Sequence, residues 1–165
     1  MLNIRKNTFE TNSSSTHAMV IASDPVAPGM AVYFGIGEYG WGHDRLVFPD
    51  EKAAYLYTGA CDFYGRDMQK EIRDLLSPYG VQCLFGHPRF ITLDDGSQYL
   101  DNGYVDHCDD LQEFLEAVLT DPDRLIRYLF SDDSFVVLTN DNCDDDLIDE
   151  AESVTYPHEF YFKGN

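Results

Sequence analysis

The sequence predicts an α+β fold, a single compact domain over residues 1–165 with a mostly antiparallel sheet packed against two to four helices. Three observations lead there. A chain of 165 residues suits one domain with a sizeable core. A content of 44% hydrophobic and 14% aromatic residues is too apolar for a disordered chain. Short strand-like and helix-like segments alternate without an internal repeat or a long linker, as in mixed layered folds.

The elements follow in order. IRKNTFE (4–10) and HAMVIAS (17–23) are strand-like, rich in residues that suit a half-buried sheet, and TNSSST between them is a turn. SDPVAPG is a loop, punctuated by two prolines and a glycine. AVYF and RLVF are short strands. They bracket GIGEYGWG, whose Gly35, Gly37, Gly40 and Gly42 suit tight turns around a packed Trp41.

PDEKAAYLYTGA is helical, with Asp50 as its cap, Glu51 in its first turn and Gly59 at its end. RDMQKEIRDLLSPYG places Met68, Ile72, Leu75 and Leu76 on one face, and Ser77-Pro78 stops it. VQCLF and RFITL are strands, and DDGSQ is a turn. DDLQEFLEAVLT carries a stripe of Leu111, Phe114, Leu115, Val118 and Leu119, capped by Asp109 or Asp110. TDPDRLIRYLF is a helix capped by Thr120 or Asp121, with Pro122 at its start and Leu125, Ile126, Leu129 and Phe130 facing inward. SFVVLTN is a strand, DNCDDDLIDEAES a short acidic helix, and EFYFKGN a last strand.

Charge is the strongest global feature. The formal net charge is −19, from 30 acidic and 11 basic residues. Residues 1–93 hold 10 acidic and 8 basic residues, net −2, whereas residues 94–165 hold 20 and 3, net −17. Such a field repels nucleic acid, whose binders displace counterions with Lys and Arg. It attracts a basic partner and speeds the encounter.

The opening residues lack the apolar core of a signal peptide, and no run approaches the length of a membrane helix. A soluble, cytoplasmic protein is expected. The cysteines, Cys61, Cys83, Cys108 and Cys143, are widely spaced and read as free thiols.

Three kinds of chemistry have candidate residues. Ser15 and His17 are two apart, so in an extended strand they share a face. With Asp106 or Glu10 to orient the histidine, they are the candidate nucleophile and base. The segment lacks the glycines of a nucleophile elbow, so a turn bonded to its own backbone competes and is favoured. Hydroxyls of the same segment, with Arg5 and Lys6 upstream, are also the donors an anion nest would use. GIGEYG has the letters of a dinucleotide fingerprint but no following helix.

His107 with Asp106, and Asp141 with Asn142, are the ligand types of a divalent cation. Cys143 and Asp146 exclude an EF-hand at 141–152, and no zinc spacing exists among the cysteines and histidines. Helix capping and a solvated acidic face account for these residues more simply, so no metal and no cofactor is expected.

RKNTFETNSSSTHAMVIAS at 5–23 resembles the start of a group of uncharacterised proteins from bacteriophages, prophages and gut bacteria. GEYGWG at 37–42 resembles that group's G-E-F-G-W-E, and KAAYLYT at 52–58 its K-x-x-Y-L-x-T. YVDH at 104–107 resembles an I-D-H that continues to Gln-Ser, and LFSDDSFVVLTNDN at 129–142 a segment ending G-N-D-N. Gly42 stands for a glutamate, and Cys108-Asp109 for Gln-Ser. The resemblance implies origin in a mobile element and points to no particular activity.

Two functions are therefore expected to compete. The favoured one is a non-enzymatic phage or mobile-element inhibitor of a basic, nucleic-acid-binding host protein, such as a CRISPR effector. It would act by nucleic-acid mimicry, without binding nucleic acid or membrane itself. Its contact residues would be Asp109, Asp110, Glu113, Glu116, Asp121, Asp123, Asp132, Asp133, Asp144, Asp145 and Asp146, with Asp149 and Glu150 beside them. The alternative is a small hydrolase or nucleotide-processing enzyme using Ser15, His17 and Asp106.

Overall fold

A computed structural model describes residues 15–40, 42–106, 111–140 and 146–163. The expected strand at 4–10, Trp41, His107, the caps Asp109 and Asp110, and residues 141–145 lie outside the described residues.

The fold is α+β, as the sequence predicts. Its main sheet has four antiparallel strands in the order β10-β1-β9-β4. They are β1 (Ser15–Ala22), β4 (Asp44–Leu46), β9 (Phe135–Asn140) and β10 (His158–Lys163). β1 is central: His17 faces Leu138 of β9 on one side and Lys163 of β10 on the other.

Both faces of β1 are covered. Met19 and Ile21 point into the larger core, while Ala18 and Val20 point into a smaller one with Phe135, Val137, Ile148 and Ala151. All five residues from Ala18 to Ala22 are 2% exposed or less. That is why HAMVIA reads as a continuous apolar run rather than an alternating one. The expected half-buried strand is a fully buried one.

The larger core is built on α1 (Pro49–Tyr64). From Ala53 to Cys61, α1 is buried at every residue except Ala54, because strands and helices enclose it on several sides. A helix without a polar face is stable only inside a protein. Two sequence expectations change here. Phe48, not Asp50, is the N-cap, and Glu51 Oε2 accepts the backbone N–H groups of Val47 and Phe48 at 3.1 and 3.2 Å. Asp50 instead accepts the N–H of Tyr33 at 2.8 Å and ties the earlier segment 31–34 to the helix start.

Gly59 does not end the helix. It is an interior position where a Cβ would sit 3.3 Å from Leu111 Cδ1. The helix ends at Gly65, in the left-handed region at φ 61°. A Cβ there would also sit 2.8 Å from the carbonyl oxygen of Gln98. Gly65→Ala is therefore expected to cost about 1–3 kcal/mol of unfolding free energy, measured by urea denaturation. An unchanged midpoint would show that this close approach carries no strain.

Helices α3 (Gln112–Thr120) and α4 (Pro122–Phe130) pack beside α1 and contribute Phe114, Leu115, Val118, Leu125 and Leu129 to the same core. Asp121 caps α4 as expected, accepting the N–H of Arg124 at 3.1 Å. α5 (Asp146–Glu152) covers the opposite face of the sheet through Ile148 and Ala151.

The remaining elements surround α1. β2 (Ala31–Phe34) and β5 (Gln82–Phe85) form a parallel pair, with α2 (Gln69–Leu76) and a 3-10 turn at Ser77–Tyr79 leading into β5. β3 (Glu38–Tyr39) pairs in parallel with β8 (Tyr104–Val105). β6 (Phe90–Thr92) and β7 (Gln98–Leu100) make a hairpin whose DDGSQ turn has Gly96 at φ 84°. No described helix is long and apolar enough to cross a membrane.

Candidate functional site

Ser15 and His17 do share a face of β1, directed at α1 and the loop after β8. Ser15 Oγ donates to Asp106 Oδ2 at 2.9 Å. His17 Nδ1 is hydrogen-bonded to the Tyr55 hydroxyl of α1 at 2.9 Å, with the two rings edge-to-face. The three candidate residues thus come to one region, but in an order different from a hydrolase relay. There the histidine stands between serine and aspartate. Here the aspartate binds the serine, and the histidine binds a tyrosine. Ser15 and His17 are both 0% exposed.

Five segments far apart in the chain meet at this point. Ser15 lies opposite Asn140 in the sheet, and the Asn140 side chain donates to the carbonyl of Gly42 at 3.1 Å. The N–H of Asp106 donates to the carbonyl of Tyr39, and that of Tyr104 to Gly37, at 2.8 and 3.0 Å. Thr58 Oγ1 accepts the N–H of Gly37 at 3.0 Å. The Tyr55 ring packs edge-to-face on Tyr39, and its hydroxyl lies 3.7 Å from Met19 Sδ. Burial, reinforced by Glu51, pushes the Tyr39 hydroxyl up to about 12. The motifs around Ser15, Gly37, Tyr55, Asp106 and Asn140 are therefore one partly buried polar network joining the start of the sheet to α1. These bonds tie the five segments to one another.

Tyr55, Thr58 and Asn140 were not among the sequence candidates. A signal existed for Tyr55 and Thr58. They sit in a helix with no polar face, where every hydroxyl must find a partner.

The acidic residues divide between surfaces. Glu113 and Glu116 are exposed on α3, and Asp121 and Asp123 begin α4. Asp132 and Asp133 are exposed on the turn between α4 and β9. Asp146, Asp149, Glu150 and Glu152 are exposed on α5, across the sheet from α3 and α4. The carboxylates form two faces rather than one ridge, with Asp132 and Asp133 at the end of the sheet. Asp109, Asp110, Asp144 and Asp145 lie outside the described residues.

Cations offset these faces only in part, with Arg124 also 3.6 Å from Asp121. Arg124 Nε and Arg127 Nη2 both bind Glu159, at 2.7 and 3.1 Å. Arg45 pairs with Glu150, Arg66 with Glu71, Lys70 with Asp74, and Arg89 with Asp101. Glu113, Asp132, Asp149 and Glu152 have no ion pair among the described residues.

Lys52 is 1% exposed, and its ammonium donates to the carbonyls of Ser131 and Ser134 at 2.9 and 2.8 Å. It lies three and four residues before Tyr55 and Leu56, so helical spacing already puts it on the core stripe. Its ammonium supports from below the turn that presents Asp132 and Asp133.

Among the described residues, no group of three His, Cys, Asp or Glu side chains is arranged to hold a metal ion. Comparison of the chain with protein-family models, with curated proteins and with solved structures finds no match.

Proposed function

We propose that this chain is a non-enzymatic interaction protein of phage or mobile-element type that engages a basic, nucleic-acid-binding host protein through the carboxylates of its second half. The observation that carries this reading is the unmatched charge. Of three cations in residues 94–165, two guanidiniums are held by Glu159, against 20 acidic residues. Burial of Ser15 and His17, and the pairing of His17 with Tyr55, favour this reading over a hydrolase.

Helical geometry narrows the mimicry. Glu113 and Glu116 are three residues apart, which is about 4.5 Å of helix axis. That is closer to the roughly 3.4 Å of duplex axis per phosphate of one strand than to the roughly 1.7 Å per charge with both strands counted. The α3–α4 face therefore suits a groove that reads a single backbone.

The test is binding to a nucleic-acid-free CRISPR effector nuclease, followed at about 50 to about 200 mM salt. Affinity is expected to fall steeply with salt and to be lost to competing single-stranded DNA. Reversing Glu113 and Glu116 to lysine together is expected to weaken it about tenfold or more. Salt-independent binding, or binding indifferent to that double change, would refute the proposal.

A further inference from the structure

At the start of α4 a cavity of about 240 Å³ opens between the Pro25–Pro28 loop and the helix. Its walls are Pro25, Val26, Pro28 and Ile126, with Tyr79 and Asp123 at the polar side. This is smaller than a typical small-molecule site of roughly 300–1,000 Å³ and has room for about one long side chain. The Tyr79 hydroxyl donates to Asp123 Oδ1 at 3.0 Å, which holds that carboxylate beside the aromatic ring.

We infer that this cavity is a subsite for a single arginine or lysine side chain of the partner, an inference that deepens the function proposed above and rests on it. Three features select that occupant. Apolar walls suit the aliphatic stem of a long cationic side chain, which buries its methylenes and keeps its head polar. A tyrosine ring offers a face to the cation. The Asp123 carboxylate supplies the opposite charge.

Arg127 also lines the cavity, but its charge is already met. Its Nη2 binds Glu159 at 3.1 Å and its Nε donates to the carbonyl of Ala22 at 3.1 Å. The charged residues of the lining are Asp123 and Arg127, and the ion-pair network of Arg127 extends through Glu159 to Arg124 and Asp121. In that network two carboxylates, Asp121 and Glu159, meet two guanidiniums, which leaves the carboxylate of Asp123. The balance left at the cavity is negative, which a cationic side chain complements.

The test uses two probes, acetyl-Gly-Arg-Gly-amide and acetyl-Gly-Glu-Gly-amide, with the methyl NMR signals of Val26 and Ile126 as the readout. The arginine peptide is expected to shift both signals in a saturable way. Asp123→Asn is expected to weaken it several-fold, and Tyr79→Leu likewise. Shifts spread evenly over α3 and α5 with none at Val26 and Ile126 overturn the inference, as does capture of the glutamate peptide instead.

The two proposals fail separately. Reversal of Glu113 and Glu116 should leave the tripeptide shifts in place, because those residues are not part of the cavity. If the tripeptide fails while the nuclease still binds in a salt-dependent manner, only the subsite is lost. If the tripeptide binds and the nuclease does not, the subsite stands and the nucleic-acid-binding partner falls.

Discussion

Tyr55→Ala is expected to destabilise the protein by about 3–5 kcal/mol, the usual range for removing a large buried aromatic. Tyr55 is 0% exposed, and its ring touches those of His17, Tyr39 and Phe114. Truncation would leave a void at the centre of the core and remove the hydroxyl partner of His17. A domain of this kind has roughly 5–15 kcal/mol to lose, so the variant should be marginally folded at room temperature. Tyr55→Phe keeps the ring and removes only the hydroxyl. It is expected to cost about 1–2 kcal/mol, the penalty for leaving a buried polar partner short of a bond. Urea unfolding of both variants separates the two contributions. Equal losses would show that packing matters less than the hydrogen bond, and a loss below 1 kcal/mol for alanine would contradict the burial of the Tyr55 ring in the core.

Stability is expected to rise with pH to a maximum near about pH 9–10 and then fall, with Lys52 responsible for the rising limb. Burial lowers the Lys52 ammonium from 10.5 to about 8, although Asp132 and Glu51 act in the other direction. Below about pH 8 the ammonium is charged in both folded and unfolded chains, and the cost of burying it is fully present. Between about 8 and 10.5 the folded chain gives up that proton while the unfolded chain keeps it. The unfolded state then binds more protons, so stability rises, by at most about 1.4 kcal/mol per pH unit.

Other buried groups end the rise. Burial pushes the Cys61 thiol from 9.0 up to about 12. Burial first, then Glu51, raises Tyr39 from 10.0 to about 12. Above about pH 9 and 10 respectively, the unfolded chain loses protons that the folded chain retains, so stability declines. Between pH 7.5 and 9 the net gain should be about 1 kcal/mol. In Lys52→Met the limb below about pH 9 should be flat and the fall above about 10 retained. A wild-type profile that declines from pH 8 onward would sink this account.

Most elements were legible because their signals are local. The stripe Leu111, Phe114, Leu115, Val118 announces α3, and Asp121-Pro122 announces the start of α4 with the correct cap. Where sequence and structure part, the cause is tertiary. Gly59 looks like a helix end because glycine usually is one. It continues α1 because Leu111 and Val105 come so close that a side chain would crowd them. Strands β3 and β8 have two residues each and follow no pattern, since only their mutual pairing defines them. Ser15 and His17 were identified as a pair from alternation alone. Their partners, Asp106 and Tyr55, lie 91 and 38 residues away, and no spacing rule connects them. Asp106 was nevertheless among the candidates, and Tyr55 was not.

The division of charge near residue 93 suggests two halves, but the sheet does not respect it. The central strand, β1, begins at Ser15, and both of its neighbours come from the acidic half, β9 starting at Phe135 and β10 at His158. During synthesis β1 therefore waits, apolar on both faces, until more than a hundred later residues have emerged. Sequence separations of this size make folding slow and leave the unpaired strand prone to aggregation in the meantime. The neutral half cannot complete the four-stranded sheet around β1, and an acidic fragment expressed alone would lack the strand around which that sheet forms.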